Sequence, residues 1–249
     1  MYFGLEIAGA SQQRKQKMSA GSQETVRTVQ PEAEHWGAAE VVRWGLTEFH
    51  PRAALASSFG AEDVVLIDIA ARVRPDFRVF TLDTDFLFTE TYSLLRKIEK
   101  AYGIRVERAK SLLTPEQQAQ QYGPELWSRA PDQCCNLRKV EPLKTKLGEL
   151  TAWVTGIRRD QAETRANAKK VEWDGKFGLI KLNPLADWTW NQVWEYIRAH
   201  NVPYNPLHDR NYPSIGCTYC TRPVQPGEDP RAGRWSGFEK KECGLHIRE

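Results

Sequence analysis

The sequence predicts an α/β fold, a mostly parallel sheet flanked by helices, and three observations predict it. Short apolar runs of strand length alternate with longer segments of helical period, the spacing that gives parallel strands joined by helical crossovers. The first run opens into a small-residue loop and then a helix, an arrangement that offers backbone N–H groups to an anion. The later runs end in the polar stretches Asp83-Thr84-Asp85 and Gly156-Ile157-Arg158-Arg159, where ligands of such sheets sit.

Taken in order, residues 1–31 are polar, rich in Gln, Ser and Lys, and without an apolar period, so a disordered arm is expected. An amphipathic helix follows over 33–49, with Trp36, Ala39, Val42, Trp44 and Leu46 apolar. Residues 52–57 read as a buried strand and 64–74 as the helix behind it, with Ser58-Phe59-Gly60-Ala61-Glu62-Asp63 between them. This is not a Walker loop, since no Gly-Lys-Ser/Thr follows. An ordinary turn with Ser capping the helix is the competing reading.

Residues 78–82 form the next strand, which places Asp83 at the same crevice as Ser57, for a ribose or a base; a capped turn is the alternative. A helix over 89–102, a strand over 104–107 and helices over 114–122 and 133–147 come next. The strand at 153–156 opens into Arg158 and Arg159, an anion clamp unless both are ordinary surface residues. Residues 178–184 close the sheet, and a helix to about His200 turns Trp190, Val193, Trp194 and Ile197 inward.

The 249 residues carry 41% hydrophobic side chains, enough for one large domain or two small ones. No apolar run is long enough to span a membrane, and Glu6 interrupts the apolar start, so the chain reads as cytoplasmic. A net charge of +3 is too small to argue for nucleic acid, but suits an anionic small molecule met by clustered arginines.

Cys134-Cys135 and Cys217-Thr218-Tyr219-Cys220 hold four of the five cysteines. Two such groups make a four-thiolate site for an iron–sulfur cluster or a structural zinc. Disulfides fit poorly, because a Cys134–Cys135 bridge is strained and the compartment is reducing. Adjacent cysteines reach different irons more easily than one small ion, but the spacing leaves both metals open. The fifth, Cys243, lies in a Gly/Pro-rich charged tail beside Lys240, Lys241 and His246, placed for a lowered pKa and for reaching a second protein.

These motifs together, with Arg138-Lys139 after the first cysteine pair and Glu242-Cys243-Gly244-Leu245-His246 at the end, resemble the bacterial assimilatory adenylyl-sulfate (APS) reductases, the cluster-containing members of the PAPS/APS reductase family. The resemblance implies an adenine-nucleotide α-hydrolase-like domain over 32–225 and a flexible catalytic tail over 226–249. It implies a [4Fe-4S] cluster on Cys134, Cys135, Cys217 and Cys220, and Cys243 as nucleophile. Ser57, Ser58, Phe59, Gly60, Leu82 and Asp83 are implied along the nucleotide, with Lys139, Arg158, Arg159, Arg231, Arg234 and His246 on its charged groups. The implied reaction is reduction of APS to sulfite and AMP with thioredoxin or glutaredoxin as external donor; a PAPS or dual-specificity reductase is the alternative. A homo-oligomer is left open, and neither nucleic acid nor membrane is an expected partner. Two residues depart from the family's pattern, Asp85 and Asn211, each where glycine is usual; Asp85 is expected to alter how ribose or adenine is held. An ATP-using adenylating or thiolating enzyme lacks its Ser-Gly-Gly-x-Asp-Ser loop here, and a zinc-bound nucleic-acid module lacks its basic face.

Overall fold

The computed structural model describes residues 20–240 together with Gly244 and Leu245. Six strands form one sheet: β1 Ala53–Ala56, β2 Arg78–Asp83, β3 Val106–Lys110, β4 Ala152–Val154, β5 Val171–Asp174 and β6 Leu179–Leu182. Their order is β3-β2-β1-β4-β6-β5. Every neighbouring pair is parallel except β5 and β6, which form an antiparallel hairpin.

Alternation along each strand divides the apolar residues between the two faces. Ala53 and Leu55 of β1, Ala152 and Val154 of β4, and Ile180 and Leu182 of β6 enter the larger core. That core also takes α2 (Ala38–Glu48), α3 (Ala61–Val73), α4 (Thr89–Tyr102) and α9 (Trp190–His200). Ala54, Phe80, Trp153 and Leu179 point the other way, onto α8 (Glu141–Leu147). Among the described residues no helix is long and apolar enough to cross a membrane.

Three features differ from the sequence-based expectation. Residues 20–33 are helical (α1), so the last twelve residues of the expected disordered arm are ordered. Val26 and Ala33 are buried, Val29 packs beside them, and the Gln30 side chain donates to the Val171 carbonyl at 2.9 Å. Strand β5 was not expected, because its signal is broken by a charge: Glu172 is buried opposite Lys181 of β6, 3.7 Å away. The helix expected over 133–147 begins at α7 (Pro131–Cys135) and widens into a π turn, Asn136–Val140, before α8. Pro142 has no N–H for the Arg138 carbonyl and its ring crowds that carbonyl, which accounts for the widening.

Between β1 and β4 the strand order reverses, because the chain leaves β1 towards β2 on one side while β4 pairs on the other. The carboxyl ends of these two strands therefore splay apart and leave a crevice.

Candidate active site

A cavity of about 460 Å³ fills that crevice. Its walls are the loop after β1, the end of β2, the loop after β4, the π turn and the segment leading from Pro213 to Trp235.

In the β1 loop, Ser57, Ser58 and Gly60 line the cavity, while Phe59 is fully buried in the larger core with a left-handed φ of 60°. The expected set of anion-facing amides is partly spent within the protein. Ser58 N–H and Oγ–H both donate to Asp63 of α3, at 2.5 and 2.8 Å. Burial pushes the Asp63 carboxyl up to about 6, and the Ser58 bonds oppose that rise. The opposite wall approaches closely at Gly156, where a Cβ would lie 2.4 Å from Asp63 Oδ1, so a side chain there would collide with a buried carboxylate.

The adjacent arginines of the β4 loop separate. Arg158 lines the cavity and is 4% exposed. Its Nε donates to Glu62 Oε1 at 2.9 Å, its Nη1 reaches Asp160 and the Trp188 carbonyl, and its guanidinium lies 5.4 Å from the centre of the Trp190 ring. Arg159 does not line the cavity. It turns away to donate to the Ala168 carbonyl at 2.8 Å and to Glu34 at 2.5 Å, beside the end of α1. Two members of a clamp have become one wall residue and one strut.

At the end of β2, Leu82 and Thr84 line the cavity but Asp83 does not. The Asp83 carboxylate, 1% exposed, accepts from Tyr92 Oη at 2.6 Å and pairs with Lys110 at 3.4 Å. Asp85 likewise stays out of the cavity. It accepts from Lys110 at 2.5 Å and from Arg138 at 3.2 Å. Its φ is 59° and that of Asn211 is 63°, so both departures from glycine occupy left-handed positions that Asp and Asn tolerate better than other residues. Asp85, expected to alter how ribose or adenine is held, anchors a buried arginine.

Arg138 and Lys139, neighbours on the π turn, face opposite ways. Arg138 is enclosed, donating to Gln118 at 2.7 Å and to the Thr84 carbonyl at 3.1 Å, with Phe86 under its guanidinium at 4.5 Å. Lys139 lines the cavity.

The two cysteine groups come together. Cys134, Cys135 and Cys217 are buried, Cys220 is half-buried, and none of the four is in a disulfide. Burial and the neighbouring Cys135 and Cys217 push the Cys134 thiol up to about 11. Burial, Cys217 and Cys135 push the Cys220 thiol to about 11 as well, while Lys139 pulls it down. Thr84 Oγ1 lies 3.3 Å from Cys217 Sγ. Among the described residues, no three His, Cys, Asp or Glu side chains converge on a single-ion site.

Residues beyond 225 are not a separate appendage as far as Lys240. Trp235 is 2% exposed, its N–H donates to the Cys220 carbonyl at 3.1 Å, and Arg222 N–H donates to the Gly233 carbonyl at 2.9 Å. This return brings Arg231 and Arg234 to the cavity wall. Arg234 donates to Ser214 Oγ at 3.1 Å and lies over the Trp235 ring, yet its buried Nε has no hydrogen-bond partner among the described residues. Gly216 admits that guanidinium, since a Cβ would stand 2.4 Å from Nη2. Cys243 and His246 lie outside the described residues.

Wall residues that sequence reasoning missed are Trp190, Arg165, Trp235 and Leu245. Trp190 was assigned to core packing, and no spacing rule distinguishes a core tryptophan from one at a cavity wall.

Comparison with known proteins agrees with this architecture. Residues 52–223 match the phosphoadenosine phosphosulfate reductase domain family. An adenosine 5′-phosphosulfate reductase of Halalkalibacterium halodurans is 47% identical over 230 residues, covering 92% of this chain and 100% of that one. An adenosine 5′-phosphosulfate reductase of Bacillus subtilis is 47% identical over 208 residues, 83% of this chain and 88% of that one. Among solved structures, a phosphoadenylyl-sulfate reductase from Candida auris in complex with phosphate superimposes with a TM-score of 0.70 at 32% identity, covering 81% of this chain and 98% of that one. An FMN adenylyltransferase from Candida glabrata, at 13% identity and a TM-score of 0.53, shares the fold.

Proposed function

Because the chain belongs to the phosphoadenosine phosphosulfate reductase family, we propose that it reduces adenosine 5′-phosphosulfate to sulfite and AMP in sulfate assimilation. The observation that carries this reading is the convergence of Lys139, Arg231 and Arg234 on one cavity, with Leu245, two residues from Cys243, at the same wall. An anionic nucleophile meeting an anionic substrate needs such cations to offset the repulsion.

The Cys243 thiolate attacks the sulfate sulfur of the nucleotide. The bond from that sulfur to the bridging oxygen breaks, AMP departs with the oxygen, and Cys243 carries an S-sulfonate. A thiolate of thioredoxin or glutaredoxin then attacks Cys243 Sγ and expels sulfite. The mixed disulfide is resolved by the donor's second thiol, so the donor dithiol supplies both electrons. Lys139 and Arg234 hold the sulfate and phosphate oxygens, and Arg158 closes the far wall.

The four grouped thiols fit a [4Fe-4S] cluster. Burial and neighbouring thiols push Cys134 and Cys220 up to about 11, a condition relieved by binding iron, and the adjacent Cys134 and Cys135 reach different irons more easily than one zinc ion. A cluster bound there supplies structural support and fixed charge beside Lys139 rather than electrons.

The test is an anaerobic assay of APS and PAPS side by side with thioredoxin, with intact mass measured after APS alone. Wild type is expected to gain a sulfonate on Cys243 and to prefer APS. Cys243→Ser is expected to bind AMP normally, gain no sulfonate and release no sulfite. An adduct that persists in Cys243→Ser, or equal use of PAPS, refutes the respective part of the reading.

A further inference from the structure

The β5–β6 hairpin, unexpected from the sequence, turns through residues 175–178. From this turn the Lys176 ammonium donates to the Gly244 carbonyl at 2.8 Å. Leu245 packs into the smaller core, the cluster that also holds Phe177 and Trp153. Gly244 itself is left-handed, φ 82°, and a Cβ there would only touch Val140 at 3.5 Å, so the segment lies against the π turn as well. On the other side of Cys243, Lys240 reaches Asp132 of α7 and lies 5.5 Å from the Trp235 ring. The chain is thus fastened on both flanks of residue 243, once to the cysteine helix and once to the hairpin.

We propose that the turn at 175–178 is the seat of the C-terminal segment, with Lys176 a positioning residue that fastens the Gly244 carbonyl while Leu245 fills an apolar socket against Phe177. This rests on Cys243 being the nucleophile for its catalytic consequence, though not for the docking itself. A lysine suits the task because its ammonium, on a long flexible stem, bonds a backbone carbonyl without demanding a particular side chain from the tail. The contact is charge-assisted yet peripheral, strong enough to hold and weak enough to release when a bulky protein donor must reach Cys243.

The experiment compares wild type, Lys176→Ala, Lys176→Arg and Leu245→Ser in two measurements. Trypsin cleavage after Lys240, which requires the segment to leave its seat, is expected to accelerate about tenfold in Lys176→Ala and Leu245→Ser and to return towards wild type in Lys176→Arg. Single-turnover sulfonate formation on Cys243 is expected to slow by roughly fivefold or more in the same two variants, while the Kd for AMP of Lys176→Ala stays within about twofold. Wild-type rates of cleavage and sulfonation in both variants overturn the proposal. Absence of any sulfonate on wild-type Cys243 overturns the reductase reading instead, and the cleavage measurement then still decides whether the seat exists.

Discussion

Two arginines that line one cavity, Arg158 and Arg234, are prepared differently. Arg158 meets Glu62, Asp160, a backbone carbonyl and the Trp190 ring before any ligand arrives. Arg234 leans on neutral partners, Ser214 and Trp235, and keeps one buried N–H without a partner among the described residues. A guanidinium already neutralised by carboxylates has little charge left for an anion, whereas one held by a hydroxyl and a ring keeps nearly all of it. Position at a wall therefore does not define an anion contact; the identity of the side chains behind it does.

The comparison breaks most visibly on stability. Arg158→Ala takes the cation from the half-buried Glu62, which keeps only the Gln161 amide, and is expected to destabilise the protein by about 2 to 3 kcal/mol, read as a fall in the urea midpoint. A matching Glu62→Gln change should recover part of that loss. If Arg158→Ala unfolds like wild type and instead loses AMP binding, the division of labour is reversed.

Arg234→Ala should act on the ligand. Loss of a charged contact worth about 2 kcal/mol raises KM for APS and Kd for AMP by roughly thirtyfold, with Tm close to wild type. Unchanged AMP titrations would place Arg234 with the structural group.

A smaller effect sharpens the picture at the β1 loop. Asp63, raised to about 6 by burial, is stabilising as the neutral acid, a contribution complete below its ordinary pKa and lost as pH rises through 6. Between pH 7.5 and pH 5, wild type should gain roughly 1.4 kcal/mol relative to Asp63→Asn. Parallel Tm curves for the two proteins would show that the carboxyl titrates normally.

The smallest effect belongs to Arg159. Arg159→Ala should leave KM unchanged and cost less than about 1 kcal/mol, through its tie to Glu34. A raised KM would return it to the cavity.

Much of this arrangement was legible in the residues. The βα alternation placed the crevice, and the spacing of Cys134, Cys135, Cys217 and Cys220 announced a shared site before any tertiary contact was known. What stayed hidden follows from local geometry. Arg158 and Arg159 are adjacent where extended backbone becomes a tight turn, so periodicity could not say which faces inward. Strand β5 was masked by a buried Glu172–Lys181 pair, and α1 by an apolar face made only of valines and an alanine. Asp83 sits at a strand end where binding is common, but Tyr92 and Lys110 claim its oxygens first.

The Asp85–Arg138 contact has a consequence for how this chain can change over generations. Asp85 holds a left-handed backbone at some conformational expense, offset by Arg138 at 3.2 Å and Lys110 at 2.5 Å. Reversion to glycine relaxes the backbone but takes a carboxylate from a guanidinium that is 1% exposed. Replacing Arg138 first leaves Asp83 and Asp85 crowding the same lysine. Neither single step is neutral, so the two positions form an epistatic pair. A chain that carries the aspartate has more to lose at Arg138 than one with glycine at 85, so the two positions, 53 apart in sequence, are coupled.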